Sequence, residues 1–362
     1  MKANKAKSIC VLSTSYKEYD RRMQRISTHL SSLDYVVSWI SRSTDSSDNL
    51  TISTNFSSGI LFYLEYNLRM VQLIVNLKPD IIYAVDLDTM LAARMYQRFS
   101  GCKLIFDSHE YFTEVPELTG KPIKKAIWSR LGKWAIKSDT TCITVNSSLS
   151  QILGEKYGQK FNTLRNVPPQ KLTTAGTHQI PKDDKKVILY LGAVNVGRGL
   201  EIACKAFKDK SLHKDYQLWI VGDGDILSQL QASYASVSGI TFFGWVAPDQ
   251  LSAILAQAWI GINMLDAVSK SYYYSLTNKY FDYIKHELPA IHMNYPEYEA
   301  LQELYPTGKL VNDYSVDGFM DGIQYFNDSS EYKKSKLACK EASLDFNWES
   351  ESAKLSTILK GL

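Results

Sequence analysis

The stretch VILYLGAVNVGRGL, Val187 to Leu200, runs an unbroken apolar segment into a glycine-rich turn. Val187–Leu191 has the length of a strand, and continuous rather than alternating apolarity marks a strand covered on both faces. Beyond it, Gly192, Gly197 and Gly199 let the backbone approach a ligand closely, and Arg198, between two of them, has clear access to a phosphate. The same pattern recurs downstream, with strands expected at Gln217–Val221, Ile240–Phe243, Trp259–Met264 and Pro289–His292, and helix-length segments between them. Upstream, Ile9–Leu12, Tyr35–Ile40, Asp80–Ala84, Lys103–Asp107 and Thr141–Val145 alternate with helical stretches such as Arg21–Leu33, where Met23, Ile26, Leu30 and Leu33 form one stripe. Apolar strands alternating with helices specify parallel sheets clad on both sides, so the class is α/β.

The 362 residues exceed what one hydrophobic core usually holds, so two domains are expected. Between Asn166 and Lys186 the alternation lapses into Pro168-Pro169, Gly176 and Pro181-Lys182-Asp183-Asp184, a turn-rich linker. The expected organisation is a first domain over 1–170, a linker over 171–184, a second domain over 185–340 and a C-terminal helical segment over 341–362. Within that segment a helix from Ser343 to Leu362 carries Trp348, Leu355, Ile358 and Leu359.

The net charge of +3 is too small to imply a nucleic-acid partner, although residues 1–170 hold 22 Lys+Arg against 15 Asp+Glu and the remainder 19 against 23. No apolar run approaches the roughly 20 residues that span a bilayer. The first twenty residues carry only Ile9–Leu12 as an apolar stretch, too short for a signal peptide, so a cytoplasmic protein is expected. Cys10, Cys102, Cys142, Cys204 and Cys339 lie far apart, with no pair at a metal-ligand spacing, and read as reduced thiols; neither a metal nor a cofactor is expected.

In open parallel sheets ligands bind beyond the carboxyl ends of the strands. After the first strand stand Thr14, then Asp20 and Arg21, with no GxGxxG fingerprint. After the fourth comes Asp107-Ser108-His109-Glu110, where His109 can reach a sugar hydroxyl or a phosphate. In the second half Gly222-Asp223-Gly224 opens a helix. Ser275-Leu276-Thr277-Asn278-Lys279-Tyr280-Phe281-Asp282 places a capping hydroxyl, Thr277 or Ser275, at a helix N-terminus suited to a diphosphate. Lys279 and Asp282, three apart on that helix, could alternatively form a plain salt bridge.

These segments, with Arg165-Asn166-Val167-Pro168, together resemble the retaining family-4 glycosyltransferases of bacterial group 1 type, and the resemblance runs in order through nearly the whole chain. It implies the GT-B fold: two Rossmann-like doubly wound domains facing across a cleft, with a C-terminal helix crossing back to the first domain. It further implies transfer of a hexosyl or related sugar from a nucleotide diphosphate sugar to a saccharide or lipid-linked acceptor, without a metal and with retention of configuration, in surface polysaccharide or glycolipid assembly. By that resemblance Arg198 clamps the diphosphate, Asp282 binds the ribose hydroxyls and His109 serves the transferred sugar. Gly192, Asn195, Gly222, Asn278, Lys279 and Trp245 complete the donor side, and Thr14, Asp20, Arg21 and Glu110 are candidates for the acceptor side. The family's first carboxylate falls at Tyr274 and one of its basic residues at Ala193, so those contacts pass to Asn195, Asn278 or Lys279. A catalytically silent binding subunit is the alternative that these two departures suggest, and an epimerase of the same fold lacks matching motifs.

One further segment, Lys121–Lys137, places Ile123, Ile127, Leu131, Trp134 and Trp128 on one arc, with Lys125, Arg130, Lys133 and Lys137 opposite. Its apolar arc is expected to pack inside the first domain. Peripheral contact with the inner face of a membrane is the competing expectation.

Overall fold

The structure is a computed structural model that describes residues 6–44, 47–171 and 184–362. Most of the expected linker therefore lies outside the described residues. The chain divides into two compact units, residues 1–166 with 352–362, and residues 167–351. Val167, fully buried, belongs to the second unit's core, and Trp348 N–H donates to Pro168 O at 2.9 Å, which fastens residues just past the division to that unit.

In the first unit β1 (Ser8–Tyr16), β2 (Val36–Arg42), β3 (Ile81–Val85), β4 (Lys103–Ser108), β5 (Thr140–Thr144) and β6 (Phe161–Thr163) form one sheet in the order β2-β1-β3-β4-β5-β6, every pair parallel. The helices are α1 (Arg21–Ser32), α2 (Gly59–Leu77), α3 (Met90–Ser100), α4 (Pro122–Ala135) and α5 (Ser147–Tyr157). Capping residues fix two of them: Asp20 Oδ1 accepts from Met23 N–H at 3.0 Å to start α1, and Asn146 Oδ1 accepts from Leu149 N–H at 2.8 Å to start α5. The strand order reverses between β1 and β3, so the loops leaving those two strands splay apart and form a crevice.

The second unit repeats the design. β7 (Lys186–Leu191), β8 (Tyr216–Val221), β9 (Ile240–Gly244), β10 (Ala258–Asn263), β11 (Ala290–Met293) and β12 (Gly308–Val311) pair in the order β12-β11-β10-β7-β8-β9. Its reversal falls between β7 and β10. The helices that matter for the site are α6 (Leu200–Ala206), α9 (Lys270–Tyr273) and α10 (Asn278–Lys285). One helix was expected over Ser343–Leu362. The chain instead forms α13 (Ser329–Asp345, following α7 Leu227–Tyr234, α8 Leu251–Leu255, α11 Pro296–Leu304 and α12 Val316–Asn327) and α14 (Trp348–Lys360). The break lies at Phe346-Asn347, where Asn347 Oδ1 accepts Ser350 N–H at 2.9 Å and starts a new helix. Residues 352–362, which include most of α14, belong to the first unit, where Leu355 and Leu359 are buried.

The five cysteines are free, and burial pushes the thiols of Cys10, Cys142 and Cys204 up to about 12. Among the described residues no helix is long and apolar enough to cross a membrane.

The tightest backbone approach lies beside the second unit's reversal. A Cβ on Gly222, whose φ is +141°, would sit 1.8 Å from Gly192 O. Gly222→Ala must therefore displace backbone, whereas Gly101→Ala (φ +69°, open space) bears only the left-handed strain, about 1–2 kcal/mol. Thermal unfolding of the two variants is expected to show the larger loss for Gly222→Ala; equal losses would mean the two turns do not need this approach.

Candidate functional site

The second unit gathers two cations at the carboxyl end of its sheet. β7 runs into Gly192, whose φ of +130° turns the chain, and a Cβ there would lie 3.5 Å from Lys279 Cε. Lys279 is the second residue of α10. Its Nζ stands 3.5 Å over the centre of the buried Tyr190 ring and is itself buried with no hydrogen-bond partner. Tyr190 is held by its hydroxyl, which donates to Ala193 O at 2.5 Å. Burial first, and the positive charge of Arg198 second, hold the Lys279 ammonium well below the usual lysine range. Arg198 donates from Nη2 to the Tyr272 hydroxyl at 3.4 Å, with its guanidinium 5.3 Å from that ring's centre, and its Nε is buried without a partner. The plain Lys279–Asp282 salt bridge does not form, because Lys279 Nζ has no hydrogen-bond partner.

No side chain caps the N-terminus of α10. Thr277 turns its hydroxyl to Asn263 Oδ1 at 2.8 Å, and Ser275 donates to Tyr272 O at 2.8 Å. The expected capping role of these two hydroxyls is thus corrected: buried acceptors nearby outcompete the helix end. A buried lysine and a half-buried arginine with an unpartnered Nε, beside an uncapped helix N-terminus and a glycine turn, make a site for a multiply charged anion, which would hold the lysine in its charged form.

The other expected donor-side residues surround this point unequally. Asn195 Oδ1 accepts Asp225 N–H at 3.2 Å and so ties the Arg198 turn to the Gly222-Asp223-Gly224 turn. Asp282 is half-buried on α10, with its carbonyl accepting from His286 Nδ1 at 2.8 Å, and Asn278 is exposed at the helix start. Tyr274 follows α9 with its ring packed edge-on against Tyr273 at 4.9 Å, and Trp245 is exposed beyond β9. Tyr190 and Tyr272, which place the two cations, were not foreseen. The signal was available in a tyrosine one residue before the glycine turn and in the run Tyr272-Tyr273-Tyr274.

The first unit's site is built the other way, from carboxylates around two cations. Arg22, buried on α1, donates from Nη2 to Asp107 Oδ1 at 2.9 Å, from Nε to Asp107 Oδ2 at 3.1 Å, and from Nη1 to Leu164 O at 2.8 Å. The Tyr83 hydroxyl also donates to Asp107 Oδ2, at 2.8 Å. Burial alone would raise the Asp107 carboxyl, but Arg22 and His109 hold it well below the usual carboxylate range. His109 Nε2 lies 3.3 Å from Asp107 Oδ2, its backbone N–H donates to Asp86 Oδ1 at 2.8 Å, and its Nδ1 lies 3.8 Å from Asp86 Oδ2. Burial works against the imidazolium, yet Asp86 and then Asp107 outweigh it and raise the His109 pKa to about 9. Nε2 thus stands between Asp107 Oδ2 and the Nε of Arg22, 3.1 Å away, and Nδ1 is the ring nitrogen beyond hydrogen-bond reach of Asp86. Asp86 itself adopts φ +54°, a strained conformation for a non-glycine residue that lets it serve His109.

Thr14 donates to Asp88 Oδ2 at 2.5 Å across the β1–β3 reversal. Asp20 is absorbed by capping α1 and by Ser15, whose Oγ donates to it at 2.8 Å. Arg21 is exposed, and Glu110 is exposed, its carbonyl accepting from Ser108 Oγ at 3.0 Å. The arginine in the site is thus Arg22, on the same stripe as Ile26, rather than its neighbour Arg21. Asp86 and Asp88 were also missed, although an acidic pair directly after a strand signalled them. Among the described residues no group of three or more His, Cys, Asp or Glu side chains is arranged to hold a metal ion.

Because the His109 pKa rises from 6.5 unfolded to about 9 folded, its charge stabilises the fold fully below pH 6.5 and loses that effect as pH rises through 9. The stability difference between wild type and His109→Gln is therefore expected to shrink between pH 6.5 and 9. The His109 ring signal in an NMR titration should have its midpoint near the upper end of that range; a midpoint at 6.5 would contradict the two-carboxylate environment.

Residues 185–327 match the family model described as "Glycosyl transferases group 1", a span of less than half the chain. No curated protein matches the sequence. Among solved structures, sucrose-phosphate synthase from Thermosynechococcus elongatus superposes with a TM-score of 0.75 at 14% identity, covering 98% of each chain. Alr3699/HepE of Anabaena, solved in complex with UDP and glucose, gives 0.73 at 15% identity, covering 98% of this chain and 99% of the other. WaaG, a glycosyltransferase involved in lipopolysaccharide biosynthesis, gives 0.72 at 12% identity over 98% and 100%. At these identities the likeness is one of fold, and the fold, two parallel six-stranded sheets each clad in helices, is GT-B.

Proposed function

We propose that this protein is a metal-independent, retaining glycosyltransferase of family-4 type that transfers a sugar from a nucleotide diphosphate sugar to an acceptor in surface polysaccharide or glycolipid assembly. The observation that carries the reading is a pair of basic side chains with a buried nitrogen left without a hydrogen-bond partner, Arg198 at Nε and Lys279 at Nζ, within the span that matches the glycosyl transferase model. A diphosphate supplies two or more negative charges in a compact group, which suits two cations and a helix N-terminus better than a carboxylate does. The UDP named with the Anabaena structure supports a nucleoside diphosphate as the ligand class.

In this reading the bond from the anomeric carbon to the diphosphate oxygen breaks, and the acceptor hydroxyl forms its bond on the same face. Its proton passes to the departing phosphate. Negative charge grows on that phosphate as the bond breaks, and Arg198 and Lys279 stabilise it electrostatically where a metal would otherwise stand. No organic cofactor takes part. Asp282 binds the ribose hydroxyls, the segment at Trp245 receives the base, and His109, raised to about 9 and so a hydrogen-bond donor at neutral pH, is the residue that the family resemblance assigns to the transferred sugar. Tyr274, which cannot replace a carboxylate's charge, leaves sugar-hydroxyl contacts to Asn278 and its neighbours.

Thermal stabilisation by UDP, GDP, CMP and their sugars tests the reading. A ligand at about 100 times its Kd adds about 2.7 kcal/mol. The expected outcome is a shift with one nucleotide family that is absent in Arg198→Ala. Turnover in that variant should fall by about 10²–10³-fold, as for loss of one oxyanion donor. Stabilisation without any transfer or donor hydrolysis would leave a binding subunit, and no stabilisation would overturn the donor site. Because an anion beside Lys279 favours its protonated form, nucleotide binding should also take up protons, seen as a dependence of the calorimetric enthalpy on the buffer. Lys279→Met is expected to abolish that dependence.

A further inference from the structure

Contrary to the expectation from its sequence, the apolar arc of α4 is not packed away. Ile123 is 77% exposed and Ile127 41%, and the helix is buried through Gly132 and Ala135. Facing it, α2 exposes Ile60 (59%) and Leu64 (46%). Between the two helices lies a cavity of about 400 Å³, walled by Ile60, Leu64, Leu91, Ile127, Trp128 and Leu131. That is the size and lining of a small-molecule site.

The polar groups of this cavity are few and specific. Asn67 is fully engaged: its Nδ2 donates to Tyr63 O and Asp88 O, both at 2.8 Å, and its Oδ1 accepts Ala92 N–H at 2.9 Å. It therefore acts as a strut under Asp88. Asp88 is 6% exposed; Thr14 satisfies its Oδ2, and its Oδ1 is buried with no partner. The cavity wall thus holds one buried carboxyl oxygen without a partner, on a group that burial raises to about 7, and a donor from a ligand would answer it. Lys121, Lys124, Tyr63 and Glu117 also line the cavity; Lys121 Nζ donates to Glu117 O at 2.9 Å, and Lys125 beside them is paired with Glu114 at 2.8 Å, which leaves Lys124 as the lining lysine nearest to free.

We infer that this cavity is the acceptor subsite and that the acceptor is of lipid class. Its apolar chain lies between α2 and α4, a hydroxyl of its head group donates to Asp88 Oδ1, and an anionic group of the head is drawn to Lys121 and Lys124. The inference rests on the glycosyltransferase reading and adds the substrate class to it.

The test is calorimetric titration of the protein with monomeric 1-lauroyl-lysophosphatidylglycerol, which has the chain, the phosphate and the hydroxyls. Glycerol 3-phosphate lacks the chain and dodecyl phosphate lacks the hydroxyls. Nucleotide stabilisation is measured on the same samples. Wild type is expected to bind the lysolipid and not glycerol 3-phosphate. Leu64→Lys and Ile127→Lys, at wall positions that reach solvent and so spare the fold, should weaken lysolipid binding by about tenfold or more, which is 1.4 kcal/mol per tenfold. In Asp88→Asn, Thr14 keeps the amide oxygen and the NH₂ takes the place of Oδ1, turning acceptor into donor. That variant should lose affinity for the lysolipid and not for dodecyl phosphate. Nucleotide stabilisation with no lysolipid binding would overturn the inference and leave the parent reading standing. Binding to phosphatidylcholine–phosphatidylglycerol vesicles but not to the monomer would overturn it in favour of a membrane-facing patch. Lysolipid binding without nucleotide stabilisation would overturn the parent reading and the acceptor role with it.

Discussion

Lys279 is buried over an aromatic ring, without a hydrogen-bond partner, and the charge that acts on it is another cation, Arg198. Burying an ammonium in this way is unfavourable, and neutralisation is the usual escape. The architecture of the second unit explains why the chain tolerates it. Gly192 must turn sharply where β7 ends, Tyr190 supplies the ring face beneath the ammonium, and α10 begins without a capping side chain. The ring face offsets part of the cost of burying the ammonium, while the missing hydrogen-bond partner and the uncapped helix end are met once an anion is present. The strand reversal between β7 and β10 is what brings them together, since the loops leaving those two strands run in opposite directions.

The first unit uses the same topological device with the opposite electrostatics. Its crevice between β1 and β3 is bridged by Thr14 and Asp88, and Arg22 and His109 are each held by carboxylates. The Arg22–Asp107 pair is buried, so removing either member would strand a charge, a loss of about 3–5 kcal/mol. That pair orients Asp107, Asp107 keeps His109 charged, and strained Asp86 fixes the His109 backbone. A positively charged anion site in one unit and a carboxylate-rich site with a single donor cation in the other are different tools. The first suits a leaving group and the second suits hydroxyls.

Much of this was legible in the residues. Continuous apolar strands such as Val187–Leu191 fixed the class, because a strand covered on both faces cannot alternate. Arg198, Lys279 and His109 stand out because charged groups directly after strands or at a helix start have few structural uses. The errors are equally physical. Arg21 and Arg22 are indistinguishable without the helix phase set by Met23 and Ile26, and that phase puts Arg22 inward. Thr277 looked like a cap, but a hydroxyl chooses the better acceptor, and Asn263 is brought to it only by the fold. The apolar arc of α4 gave no hint that it lines a cavity, because burial depends on what stands opposite. The break between α13 and α14 turns on Asn347, a modest signal inside a helical pattern.

A structure determined with the cognate nucleoside diphosphate bound tests the central claim most directly. The account predicts phosphate oxygens within hydrogen-bond distance of both Arg198 Nε and Lys279 Nζ, at the start of α10. A diphosphate bound away from both cations, with Lys279 still over Tyr190 and unpartnered, would contradict it.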